Sequence, residues 1–251
     1  MIKLLKYDWK RNSDGILSTL AILIIVQVVL TIVGLTRNWD EIVLVSLSAF
    51  LYSLTGILLF INCCRTFDHN IKSYSRRLLT LHPLNGVGAV IILSWFVMMA
   101  VVVIAAIHFL IYASYSDWDT SLLKQPELWN IGAIMGIVLQ TVWGYTCIMV
   151  AILLSITVAR SFRVKGSTWI GILFFIILQS VYSWLQYLLF HNNKASIGVI
   201  SMDITDSNDA SLSFFSNMNI NFLIGPFLME LVFFIGSLYL MSYLLNKKVE
   251  I

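Results

Sequence analysis

Six stretches of this chain hold one formal charge between them. They run over residues 16–35, 42–63, 87–113, 131–158, 169–190 and 222–245, and the single charge is Glu230. A helix needs about 20 apolar residues to cross about 30 Å of hydrocarbon at 1.5 Å per residue, and each stretch reaches or exceeds that. The stretches are apolar all round rather than alternating, so helices, which satisfy their own backbone hydrogen bonds, are the economical way across. An outer-membrane barrel is rejected. With 59% hydrophobic and 12% charged residues and a mean hydropathy of +0.87, a water-soluble fold is excluded as well. The expected fold is an all-α membrane protein of six transmembrane helices, forming one transmembrane domain over residues 1–251.

Orientation follows from Lys and Arg, which are retained on the cytoplasmic side. Thirteen of the sixteen fall in the leading segment, after spans two and four, and at the end of the chain. Only Arg37, Lys124 and Lys194 fall on the opposite side. Both termini are therefore expected in the cytoplasm, in a multi-pass protein of the cell membrane. Acidic residues such as Asp40, Glu41, Asp117, Glu127 and Asp203 gather in the outer loops and agree with this assignment. The net charge of +3 is thus two opposed faces rather than a nucleic-acid footprint. The first stretch is read as a true span and not a signal peptide, because Leu35, Thr36, Arg37 and Asn38 offer no small-residue cleavage site. Cys63, Cys64 and Cys147 lie at or inside the membrane and read as packing residues.

Between the spans, three segments carry pattern. Ahead of span one, Lys3, Lys6 and Lys10 recur at helical spacing beside Ile2, Leu5 and Trp9, which predicts an amphipathic amino-terminal helix lying in the headgroup region. The cytoplasmic segment 64–86 places Ile71, Tyr74 and Leu78 at helical spacing among Lys72, Arg76 and Arg77, a short amphipathic helix that Pro83 stops. The extracellular loop 191–220 is polar, with apolar patches at 197–200 and 212–215 that can dip back into the membrane as re-entrant segments where protein shields them. Trp39, Trp118, Trp129 and Trp169 fall at span boundaries, where indole rings anchor at headgroup level.

Catalytic patterns do not accumulate. The phosphate-cradling sequence of Gly, four residues, Gly, Lys and Ser or Thr does not occur, so ATP cannot be bound by that route. The four histidines, His69, His82, His108 and His191, form no His-Glu-x-x-His set, no Gly-x-Ser-x-Gly elbow occurs, and no metal site is expected. Gly132 and Gly136 form a Gly-x-x-x-Gly pair that suits close helix packing. Depth arithmetic gathers polar residues near mid-membrane: Gln27 in span one, Ser53 and Thr55 in span two, Gln140 in span four, Gln179 in span five and Glu230 in span six. A carboxylate there is expected to face the protein interior or a wet cavity, protonated or hydrogen-bonded to one of these amides, with Pro226 bending span six one turn earlier.

Taken together, six spans, cytoplasmic ends, an amphipathic leading helix, a charged segment after span two and a long last outer loop resemble the permease subunits of type-2 ATP-binding-cassette exporters. The nearest local likeness is FDHNIKSYSRRLLTLHPL, residues 67–84, which looks like the family's charged coupling segment running into a Leu-rich stretch and a proline. The resemblance implies a transport subunit rather than an enzyme. Cytoplasmic cassette ATPase subunits would bind ATP and magnesium and contact Ile71, Lys72, Tyr74, Arg76, Arg77 and Leu78. A second permease copy or a homologous permease would complete the path, among membrane lipids. Small bacterial members export amphipathic peptides or confer self-protection against antibiotics, so a peptide, antibiotic or lipid-like substrate is implied. The midplane residues would then line the path. Glu230 also leaves open an ion-coupled carrier, or a membrane-embedded enzyme.

Overall fold

The computed structural model describes residues 2–72, 83–115, 131–162, 167–190, 197–198, 221–222 and 224–247. Six helices account for nearly all of them: α1 Ile2–Thr36, α2 Glu41–Lys72, α3 Pro83–Tyr115, α4 Ile131–Ser161, α5 Ser167–Phe190 and α6 Ile224–Lys247. Each contains a stretch long and apolar enough to cross a membrane. Their outward faces are oily, with Ile22, Ile25, Phe96, Met99 and Leu110 all more than half exposed, while Gln27, Ser94 and Thr157 are buried. That inversion of the soluble pattern is what a lipid solvent selects. The chain is a helical multi-pass membrane protein.

Residue contacts divide the chain into two compact units, Met1–Asp119 and Thr120–Ile251. In the first, α1, α2 and α3 pack pairwise on one another. The buried face of α1 reads Asp8, Ile16, Leu23, Gln27 and Gly34, a repeat of seven or eight residues with one intervening step of four, which keeps one stripe inward. The hairpin between α1 and α2 is closed by local chemistry. Asn38 takes φ of 49°, Trp39 N–H donates to Gly34 O at 3.0 Å and Asn38 N–H to Leu35 O at 3.4 Å. This is a Schellman cap, and Asn is one of the few side chains tolerated at its left-handed position. Asp40 then starts α2, its carbonyl accepting from Val43 and Leu44. Gly34 lets the hairpin close, because any Cβ there would run into the Leu44 side chain.

In the second unit α4 is central, packed on one side by α5 and on another by α6, while α5 and α6 meet over a smaller area. α4 and α5 approach closely at Gly171, where an added Cβ would stand 3.0 Å from Ala159 Cβ and 3.1 Å from Ser155 O. Gly136 of the Gly-x-x-x-Gly pair is buried on α4, and the surroundings of Gly132 lie outside the described residues. Two short strands, β1 Ile197–Gly198 and β2 Asn221–Phe222, pair antiparallel and bring the ends of the long loop together.

Several expectations change. The amino-terminal segment is not a separate helix on the membrane surface: α1 runs unbroken for 35 residues, about 52 Å at 1.5 Å per residue. Ile71 and Lys72 belong to α2, which continues past its apolar stretch, and Pro83 opens α3 rather than merely ending a preceding helix. Proline suits a first helical position, whose N–H has no partner within the helix. Pro226 likewise falls in the first turn of α6, so no mid-span bend is required. In the loop, Ile197 pairs in a strand where a re-entrant segment was expected, and residues 199–220 lie outside the described residues.

Candidate functional site

The strongest concentration of polar chemistry inside the second unit surrounds Glu230. It sits six residues into α6, about 9 Å from the helix start, and so nearer one end of the span than the centre. Across from it, α4 supplies Trp143 and α5 supplies Tyr182. Trp143 Nε1 donates to Glu230 Oε2 at 2.7 Å, and Tyr182 OH donates to Oε1 at 3.4 Å. The first bond is short; the second is long. The partners are thus an indole and a phenol, not the amides expected.

Around this carboxylate lies a cavity of about 240 Å³, lined also by Gln140, Gln179, Phe233 and Phe234. Helical spacing explains the grouping. Gln140 and Trp143 are three apart on α4, Gln179 and Tyr182 three apart on α5, and Glu230 and Phe234 four apart on α6, so each helix contributes one face. The rings brace each other: Trp143 meets Phe227 at 5.3 Å and Phe234 at 5.5 Å between centroids, and Tyr182 meets Phe233 at 5.1 Å. Tilted contacts at these separations are the favoured aromatic geometry. Four of the lining side chains are thus aromatic, set among aliphatic and amide groups, and two of the four hold the one acid in place.

Two polar assemblies occupy the first unit. At one end, Asp8 is fully buried, accepting from Asn70 Nδ2 at 3.2 Å and facing Arg11 at 3.7 Å. Arg11 in turn donates to His69 Nδ1 and Asn70 Oδ1, both at 3.0 Å. The start of α1 is thereby fastened to the end of α2. Further along α1, Thr31 Oγ1 donates to Gln27 O at 2.8 Å, which uses its only proton. Its 2.8 Å contact with His108 Nε2 then assigns the ring proton to Nε2, leaving Nδ1 to accept weakly from Gln27 Nε2 at 3.5 Å. Ser48 Oγ, Tyr52 OH and Gln27 Oε1 are buried with no partner among the described residues.

Of the expected midplane residues, Gln140, Gln179 and Glu230 converge on the cavity. In the first unit Gln27 joins His108, whereas Thr55 donates back to Leu51 O and the exposed Ser53 to Ala49 O, so neither engages another helix by those bonds. Of the coupling residues, Ile71 is buried and Lys72 is exposed and paired with Asp68 at 2.8 Å; Tyr74, Arg76, Arg77 and Leu78 lie outside the described residues. At the chain start Lys6, Trp9 and Lys10 are exposed and Leu5 is half-buried, while the side chain of Lys3 lies outside the described residues. Trp39 and Trp169 are exposed, and Trp118 and Trp129 lie outside the described residues.

Trp143, Tyr182, Asp8 and His108 are the side chains that sequence reasoning passed over. For the first two a signal existed: an indole or phenol in mid-span must find a partner for its polar hydrogen. No family model, curated protein or solved structure matches the chain.

Proposed function

We propose that this protein is a transmembrane subunit of an ATP-driven exporter in a bacterial cell membrane, with both termini cytoplasmic. With a second permease copy or a homologous permease it forms the path for an amphipathic peptide, antibiotic or lipid-like substrate. Cytoplasmic cassette ATPase subunits bind ATP and magnesium and perform the hydrolysis. The observation that carries this reading is the junction at Asp8. There α2 extends nine residues beyond its apolar stretch, about 13 Å, and the start of α1 is pinned alongside it by Asp8, Arg11 and Asn70. A stiff, braced stalk leading into a basic segment is what a permease needs to receive force from a soluble motor. Tyr74 and Leu78 are the apolar anchors of that contact, with Arg76 and Arg77 at its rim.

Replacing both Tyr74 and Leu78 with Asp should release the ATPase while leaving the permease inserted and folded. Full retention of the complex by that double variant would defeat the reading. The Glu230 cavity favours one competitor, an ion-coupled carrier. Proteoliposomes separate the two: uptake driven by a proton gradient with no ATPase present belongs to the carrier alone.

A further inference from the structure

We infer that the cavity of the second unit is a binding site for an organic monocation, a quaternary or substituted ammonium whose charge sits against Glu230 and whose alkyl groups lie against the surrounding rings. Three features of the site converge on that class. First, the cavity holds one carboxylate, and none of its described lining residues is Lys, Arg or His, so among the described residues the acid has no counter-charge in the cavity wall. Second, the carboxylate is already oriented. Trp143 and Tyr182 each donate one hydrogen bond, and an ionised carboxylate offers about four acceptor positions, so capacity remains on the side facing the cavity. Third, two more rings, Phe233 and Phe234, line the cavity in tilted contact with those same donors, among aliphatic and uncharged polar residues.

Aromatic faces attract cations through their quadrupole, and the attraction grows when water is excluded. A metal ion is the wrong guest for such walls. Calcium takes about six to eight oxygen ligands, and among the described residues no three His, Cys, Asp or Glu side chains come together. An alkylated ammonium reverses those demands: it is weakly hydrated and has apolar groups to present to rings. The volume of about 240 Å³ accommodates a head group with a short substituent. It falls just below the roughly 300–1,000 Å³ typical of drug-sized ligands, so a longer tail would leave the cavity.

As a binding site this stands without the exporter reading; as an assignment of substrate class it rests on that reading. The test is equilibrium binding of radiolabelled benzyltrimethylammonium to the full chain in lipid nanodiscs, with no ATP and no ATPase. Saturable binding at one site per chain is expected, with the neutral isostere neopentylbenzene (2,2-dimethylpropylbenzene) competing at least about tenfold less well, because it matches shape without charge. Glu230→Gln should weaken the cation by about tenfold or more, and Phe234→Leu by about threefold. Binding no greater than to empty nanodiscs overturns the site. Equal competition by the neutral isostere also overturns it, since the cavity would then be reading apolar shape alone, and that comparison needs no variant to fold. Binding by wild type that Glu230→Gln leaves unchanged, in a monodisperse sample, overturns the role of the acid. Because no ATPase is present, loss of binding leaves the exporter reading intact, and absence of an ATPase partner leaves the binding site intact.

Discussion

The indole of Trp143 and the carboxylate of Glu230 form the most consequential pair in the second unit, and their bond has a measurable worth. A hydrogen bond to a charged group contributes about 1.5–3 kcal/mol, so Trp143→Phe, which keeps a ring and removes the donor, should destabilise by roughly that amount. Tyr182→Phe should cost less, because its bond is longer, 3.4 Å against 2.7 Å. A double-mutant cycle with Glu230→Gln, read by thermal unfolding in detergent, should show coupling for Trp143 and little for Tyr182; additive effects at Trp143 would contradict the geometry. Tyr52 presents the opposite case. Its hydroxyl is buried with no partner among the described residues, so Tyr52→Phe should leave stability unchanged or raise it by about 1 kcal/mol. A clear fall in melting temperature would reveal a partner. That Glu230 would be inside the protein was legible from its charge and depth. Which donors would meet it was not, because that depends on the rotation of three helices, and residues 140, 143, 179 and 182 all offer polar atoms at similar heights.

Elements follow the apolar stretches in their middles and depart from them at their ends. The bilayer fixes a minimum length and nothing limits the excess, so α1, α2 and α3 each exceed 30 residues. At the start of α1 the lysine spacing suggested a helix lying flat, but Asp8 decides otherwise: a buried acid bonded to Asn70 holds the first turns against α2. Asp8 stands three residues before Arg11, a pairing visible in the sequence, yet its partners on α2 lie some sixty positions away. A continuous α1 puts labels at Lys6 and Ile32 about 39 Å apart along the axis, against about 31 Å for a right-angled break at Asn12. Double electron–electron resonance between those exposed positions should report the longer distance, and the shorter one would restore the surface helix. Asp8→Ala, which leaves Arg11 and Asn70 with one partner fewer, should shift the distribution toward shorter and broader distances. The hairpin after α1 gives a sharper case. Gly34→Val must push Leu44 aside and should destabilise by about 1–3 kcal/mol as overpacking does, whereas Asn38→Gly, at a left-handed φ of 49°, should be tolerated.

For the whole molecule, hydropathy and charge asymmetry reach membrane class, span number and expected orientation, because these depend on sums over many residues. Partners depend on a few side chains on one surface, and the segment that would meet an ATPase begins where α2 ends at Lys72. A surface that receives a motor should carry that motor through purification. The most direct test is to purify the tagged chain from its native membrane in mild detergent and to assay what elutes with it. An exporter subunit should bring down a soluble cassette ATPase at one copy per permease, with magnesium-dependent ATP hydrolysis in the eluate, and should lose both with Tyr74→Asp and Leu78→Asp. A chain that elutes without any nucleotide-hydrolysing partner, yet moves substrate in proteoliposomes on a proton gradient alone, would contradict the exporter reading.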